Sequence, residues 1–362
     1  MASTHDRLYL PGPVEVAPEV LAALATPMIG HRSAAFGALY ERVQAGLRWA
    51  LSTEQPVYLV TASATAVWEM AVRSCVRERC LHLVNGAFSS RWAKTTACNG
   101  KQADRIEVPW GRANRDLDAL REALATGRYD AVALVHSETS TGVLNPLEAI
   151  AQVVAEFEDV LLLVDAVSSG TTLPIEPDRL GIDILLLGVQ KALGLPPGLA
   201  LCVASERAHA RAETISNRGY YLDLLEFRAR HARHQTPTTP AIPQIYALER
   251  QLERMRAEGL EPRYSRHAQL AERTRAWALE RGFALFPESG YEAVGLTCIE
   301  NTREIDVNAL AGWLQQEHHM VIDRGYGKLR GKTFRIGHMG DMTLEDLEAL
   351  LERIDTWLAR AG

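Results

Sequence analysis

GIDILLLGVQKALGLPPGLALCV, residues Gly181–Val203, sets two apolar runs, DILLLG and LALCV, on either side of a turn that carries Lys191 and Pro196-Pro197-Gly198. Short apolar runs bounded by turn residues read as strands buried on both faces. A lysine where such a run ends is out of keeping with it, because an ammonium prefers water and is seldom buried. Taken alone, Lys191 is a strand-end residue whose charge snorkels into solvent.

The same pattern recurs upstream in PVYLV, CLHLV, DAVALV and DVLLLVD, with amphipathic helical stretches between the runs. Apolar strands alternating with helices predict an α/β domain built on one mainly parallel sheet. After residue 240 the pattern changes. AIPQIYALERQLERMRAEGL and YSRHAQLAERTRAWALERG have helical periodicity and heavy surface charge, and short strands are expected at FALF, VGLTCI, MVID and KTFRIG. With helices at VNALAGWLQQE and LEDLEALLERIDTWL, this part reads as a smaller α+β domain over 257–362, following a large domain over 16–256. Neither repeats nor low-complexity segments separate the two, so the linker is expected to be helical.

The chain has 362 residues, 47% of them hydrophobic, enough for a full core. Its formal net charge of -6 offers no basic field to nucleic acid or anionic lipid. Small molecules are the expected partners. The N-terminus lacks a basic segment followed by an apolar one, and no run is long enough to span a bilayer. The five cysteines are scattered, with no CxxC pair, which predicts reduced thiols, no metal site and a cytoplasmic protein.

In open α/β sheets ligands bind beyond the carboxyl ends of the strands. The residues found there are TASATAVWEM after PVYLV, NGAFSSRW after CLHLV, HSETSTG after DAVALV, DAVSSG from Asp165 on, and VQK before the Pro-Pro-Gly turn. Ser63-Ala64-Thr65 offers backbone N–H groups and two hydroxyls at a helix start, a phosphate site or an ordinary helix cap. Asp165 closes an apolar strand, where its carboxylate needs a cation, a strong donor or a helix to cap. A lysine able to form a Schiff base, a carboxylate able to keep a pyridinium protonated and a phosphate site are together the parts that pyridoxal phosphate requires.

LPGPVEV, VDAVSS, GVQKALGLPPG, QTPTTPAIP and FRIGHMG, in this order, resemble the class V aminotransferases of fold type I, above all the alanine, serine and aspartate transaminases that use glyoxylate or pyruvate. The resemblance covers nearly the whole chain and implies a seven-stranded-type sheet, a homodimer with active sites at the subunit interface, and pyridoxal 5′-phosphate as cofactor. By position, Lys191 resembles the Schiff-base lysine and proton shuttle, and Asp165 the partner of the pyridine nitrogen. Phe88 resembles the stacking aromatic, with Val167 on the opposite face. Ser63, Ala64, Thr65 and Gln190 match phosphate-binding positions. Thr239 matches a phosphate ligand supplied by the neighbouring subunit, and Thr139 a hydroxyl near the phenolic oxygen. Arg335 resembles the arginine that grips the substrate carboxylate, and Gly12 lies in the N-terminal segment, 1–15, that lines the site. Arg32, in GHRSAAF, is a candidate for a second carboxylate or for an acidic neighbour.

The implied reaction is a ping-pong transfer from a small L-amino acid to a 2-keto acid. A lyase or desulfurase of the same fold resembles a pattern with a stacked histidine and a reactive loop cysteine, whereas this chain has Phe88 and no cysteine over 324–334. A non-catalytic pyridoxal-phosphate-binding protein would have no need of Lys191, Asp165 and Arg335 together. The chain departs from its relatives in Ala62 and Ala64, where glycines are common, and in Val189, where serine is common. GYGKLRGKTF lacks the glycine spacing and following helix of a phosphate loop, and reads as a mobile basic loop at the site mouth. His318-His319 has no partner at metal-binding spacing.

Overall fold

The computed structural model describes residues 5–361, so the first four residues of the predicted N-terminal segment lie outside it. A seven-stranded sheet forms the centre. Its strands are β1 (Val57–Val60), β2 (Arg79–Val84), β3 (Gln102–Glu107), β4 (Ala131–Val135), β5 (Leu161–Asp165), β6 (Ile184–Gly188) and β7 (Ala200–Ala204). Their order is β1-β7-β6-β5-β4-β2-β3. β7 runs antiparallel to both of its neighbours, and the remaining pairings are parallel. Every apolar run read from the sequence is a strand of this sheet. The added strand is β3, QADRIE, an edge whose residues are all exposed or half-buried. A strand paired on one side only needs no continuous apolar run, and its charges discourage further pairing.

Alternate residues of the strands enter two cores. Leu59, Leu81, Leu134, Leu162, Leu185 and Leu201 face one side, where helices Ala34–Ala50 and α3 (Ile242–Glu258) cover them. Tyr58, Cys80, Ala133, Leu163, Leu186 and Cys202 face the other, under α1 (Ala64–Cys75) and Trp92 of α2 (Ala87–Cys98). The period of two, apolar on both faces, is the physical content of the continuous runs.

A third core gathers Leu270, Trp277, Phe283, Ile299, Leu310, Phe334 and Leu350, together with Tyr9 from the other end of the chain. It lies around a three-stranded sheet, Ala284–Leu285, Leu296–Glu300 and Thr333–Gly337, packed by α4 (Leu260–Glu280). α3 and α4 meet at Gly259, whose φ of +86° ends one helix and begins the next. The N-terminal segment ties this part to the central sheet. Arg7–Leu8 pairs with Met320–Val321, the Gly337 N–H donates to the Tyr9 carbonyl at 2.8 Å, and the Val14 N–H donates to the Gln190 carbonyl at 3.2 Å.

Arg263, fully buried on α4, donates to Glu258 at 2.8 Å, to Asp341 at 3.1 Å and to the Ala192 carbonyl at 2.5 Å. It joins the third core to the turn after Lys191. Removing one member of a buried ionic group leaves the others without their compensation. Arg263→Met is therefore expected to lower stability by about 3–5 kcal/mol; urea unfolding measures this, and a loss under about 1 kcal/mol would show the pair to be dispensable.

Candidate active site

Because β1, β2, β4, β5 and β6 run in one direction, their carboxyl ends open on one cavity of about 250 Å³. Gly12, Ser63, Ala64, Thr65, Phe88, Thr139, Asp165, Val167, Gln190 and Lys191 all line it. Residues as far apart in sequence as Ser63 and Lys191 meet here because the sheet order brings β1 and β6 to either side of β7.

Lys191 is buried, and its Nζ donates to the Pro11 carbonyl. Burial, then the charge of Arg335, push its ammonium down to about 8. Gly12, at φ +105°, leaves the room this requires, since a Cβ there would stand 2.5 Å from Lys191 Cδ. Asp165 ends β5 in full burial, and burial pushes its carboxyl up to about 6, against two donors that favour the charged form. Those donors are the Val167 N–H and Trp68 Nε1–H, each at 2.8 Å.

At the start of α1 the Ser63 hydroxyl makes no capping bond, so the first turn keeps its polar groups for the cavity. The Ser137 hydroxyl, which also lines the cavity, is buried with no partner. The Thr139 hydroxyl meets the Ser168 hydroxyl at 2.5 Å. Phe88 stands half-buried in the first turn of α2, which is anchored by the buried carboxylate of Glu138 through the Ser89 N–H and hydroxyl, each at 2.9 Å, and the Phe88 N–H at 3.3 Å. Gly86 permits that approach; its Cβ would fall 2.3 Å from Glu138 Cγ.

Arg335, on strand Thr333–Gly337, is close enough to depress Lys191, and is itself held by Asp323 at 2.8 Å through Nε and by the Thr139 carbonyl at 2.6 Å through Nη1. Arg335 stands behind the residues that line the cavity, and two further sequence candidates lie elsewhere. Thr239 is exposed in the segment before α3. Arg32 binds neither the cavity nor an acid: its guanidinium donates to Gln235 Oε1 at 3.0 Å and to the carbonyls of Thr236 and Pro237 at 2.7 and 3.1 Å. It braces the segment leading to Thr239. The stretch read as a mobile basic loop is tied down by Asp323, which accepts the Gly325 N–H at 2.8 Å, and by Tyr326, whose ring lies 5.2 Å from that of Phe88.

Trp68, Arg91, Val135 and Ser137 line the cavity without having been singled out in the sequence. A signal existed for two of them. Trp68 lies one helical turn after Ala64, and Arg91 one turn after Phe88, spacings that share a helix face.

The residues present fit pyridoxal phosphate. Lys191 and Asp165 are each buried at a cost to their charged forms, form no hydrogen bond with one another, and face one cavity with an orphaned hydroxyl and an uncapped helix start. A group bearing an aldehyde, a basic ring nitrogen and a phosphate satisfies all of these together.

The sequence profile of the family described as aminotransferase class-V matches residues 20–350. An uncharacterized aminotransferase of Methanocaldococcus jannaschii is 36% identical over 98% of this chain and 93% of its own length. A protein of a Synechococcus species named as the small subunit of a soluble hydrogenase is 32% identical over 98% of this chain and 93% of its own. The L-aspartate–glyoxylate aminotransferase of Paracoccus denitrificans is 32% identical over 94% and 88%. The crystal structure of an alanine–glyoxylate aminotransferase from a Nostoc species superposes with a TM-score of 0.91 at 32% identity, covering 99% of this chain and 96% of that one.

In the cofactor-free protein, Lys191 stays protonated below pH 8 in the fold and below 10.5 when unfolded. The folded state therefore bears the burden in full below about pH 8 and sheds it as the pH rises towards 10.5. Lys191→Met should make the cofactor-free chain more stable at pH 7, by roughly 3 kcal/mol, with the gain fading through that window. Urea midpoints at a series of pH values check this; a pH-independent difference would contradict it.

Proposed function

We propose that this chain, which belongs to the class V aminotransferase family, passes the amino group of a small L-amino acid to glyoxylate or pyruvate. Amino transfer and the use of pyridoxal 5′-phosphate come with the family. Glyoxylate is favoured by the names of the Paracoccus and Nostoc relatives. The observation that carries the reading is the placement of Lys191 and Asp165, both buried, at the ends of adjacent strands β6 and β5 on one cavity.

When bound, pyridoxal phosphate supplies an electron sink for the pair left on the amino acid's α-carbon once its proton is removed. The protein's part is proton management and orientation. Asp165, ionised above about pH 6, would accept a hydrogen bond from the protonated ring nitrogen and so hold the proton on that nitrogen, while Trp68 and the Val167 N–H fix the carboxylate. Lys191, lowered to about 8, has a usable neutral fraction near pH 7–8 and moves the substrate's α-proton with Nζ. Phe88 and Val167, both lining the cavity, would hold the ring between them, and the Ser63–Thr65 turn and Gln190 would hold the phosphate. Arg335 binds the substrate carboxylate, oriented by Asp323 and the Thr139 carbonyl.

The reading includes a homodimer in which Thr239 reaches the neighbouring subunit's phosphate, supported by its exposure on a braced segment. It includes a large unit over 16–256 and a smaller one over 257–362, supported by the helix break at Gly259. It also places the enzyme in the cytoplasm, supported by five unpaired cysteines; no helix among the described residues is long and apolar enough to cross a membrane.

The purified holoenzyme should transfer amino groups from L-alanine, L-serine or L-aspartate to glyoxylate or pyruvate with parallel-line initial-rate kinetics. Lys191→Ala should abolish turnover while retaining bound cofactor, and Asp165→Asn should slow proton abstraction by about two orders of magnitude or more. Normal transamination by Lys191→Ala would sink the assignment. Thr239→Ala should weaken cofactor retention, read by dialysis and the visible absorbance of the bound cofactor.

A further inference from the structure

Arg91 contributes a second cation to the cavity, one that the family resemblance leaves without a role. It stands one turn after Phe88 on α2, its guanidinium carbon 5.0 Å from that ring's centroid, and its Nη2 donates to the Tyr326 hydroxyl at 2.6 Å. No carboxylate among the described residues pairs with it. Arg112 and Arg115, by contrast, share Glu288 at 3.4 and 3.1 Å.

Tyr326 also contacts Arg335, whose guanidinium carbon lies 5.2 Å from its ring centroid. One tyrosine thus links two guanidiniums: Arg335, paired with Asp323, and Arg91, exposed to water and without a carboxylate partner among the described residues. The Asp323 oxygen that holds Arg335 also accepts the Gly325 N–H at 2.8 Å, so the segment carrying Tyr326 is fixed to the same carboxylate. Arg91 is held through one N–H and supported on a ring face, which leaves the rest of its fork for an anion.

We infer that Arg91 is a specificity-determining residue that receives the side-chain carboxylate of a short amino dicarboxylate donor, while Arg335 receives the α-carboxylate. This rests on the transaminase reading and narrows its donor class. A monocarboxylic donor leaves Arg91 without a counterion, whereas a donor of aspartate type brings a second carboxylate to a planar fork suited to two parallel hydrogen bonds. Arg32 is committed to residues 235–237 and offers nothing comparable. Tyr326 acts as a positioning residue, holding Arg91 through its hydroxyl.

The test compares kcat/KM for L-aspartate and L-alanine in the wild-type holoenzyme, Arg91→Gln, Arg91→Lys and Tyr326→Phe, with the visible absorbance of bound cofactor confirming that each variant folds and loads. The aspartate-to-alanine ratio should fall about tenfold or more in Arg91→Gln, mainly through KM. It should recover in part in Arg91→Lys and fall by a smaller factor in Tyr326→Phe. Maleate binding to each holoenzyme, measured by calorimetry, should weaken in the same order. An unchanged ratio and unchanged maleate affinity in Arg91→Gln overturn the assignment while leaving the transaminase intact. Failure of the wild type with every donor overturns the transaminase reading instead, and maleate binding still decides whether Arg91 holds a dicarboxylate.

Discussion

Two opposite charges taken out of water at neighbouring strand ends are the constraint from which the rest of the architecture follows. A buried ammonium and a buried carboxylate are each costly, and their attraction offsets the cost only when geometry and hydrogen bonding are good. Here Lys191 and Asp165 do not bond one another; each is held by its own partners, the Pro11 carbonyl for one and Trp68 with the Val167 N–H for the other. The fold must therefore be stable enough to carry both. Two apolar cores, one on each face of the sheet, provide that stability and fix the strand ends against relaxation.

The same constraint explains why the third core and the N-terminal segment meet at this point. Arg335 enters on a strand of the small sheet, and its charge makes the Lys191 ammonium easier to deprotonate. Buried Arg263 bonds to the carbonyl of the residue after Lys191, and the Val14 N–H bonds to the carbonyl of the one before. The lysine turn is thus held from both sides by chain distant in sequence.

Much of this was legible in the residues. Continuous apolar runs gave the strands because both sheet faces are covered, and the odd residues closing those runs, Asp165 and Lys191, marked the cavity. β3 was not legible, since QADRIE is an edge left exposed or half-buried and so has no apolar run, unlike the covered edge β1. Arg32 shows a different limit. Its sequence neighbourhood says nothing of where a long side chain goes, and its guanidinium is taken by carbonyls that only the fold brings near. Arg91 and Trp68 lay at helical spacing from residues already singled out, but spacing places a side chain on a face without saying what that face meets. Glu138 was hidden for the opposite reason: a buried carboxylate anchored by N–H and hydroxyl donors has no cation to betray it.

The N-terminal strap also has a bearing on synthesis. Arg7 and Leu8 find their β partners at Met320 and Val321, and Tyr9 accepts from Gly337. On a ribosome Arg7 and Leu8 must wait, unpaired, until Met320 and Val321 have been made. Pro11, which receives the Lys191 ammonium, cannot be locked in place before then. The central sheet can form early, but the pocket closes only after residues 320–337 have been made, so a chain cut short before them cannot assemble the full reactive centre.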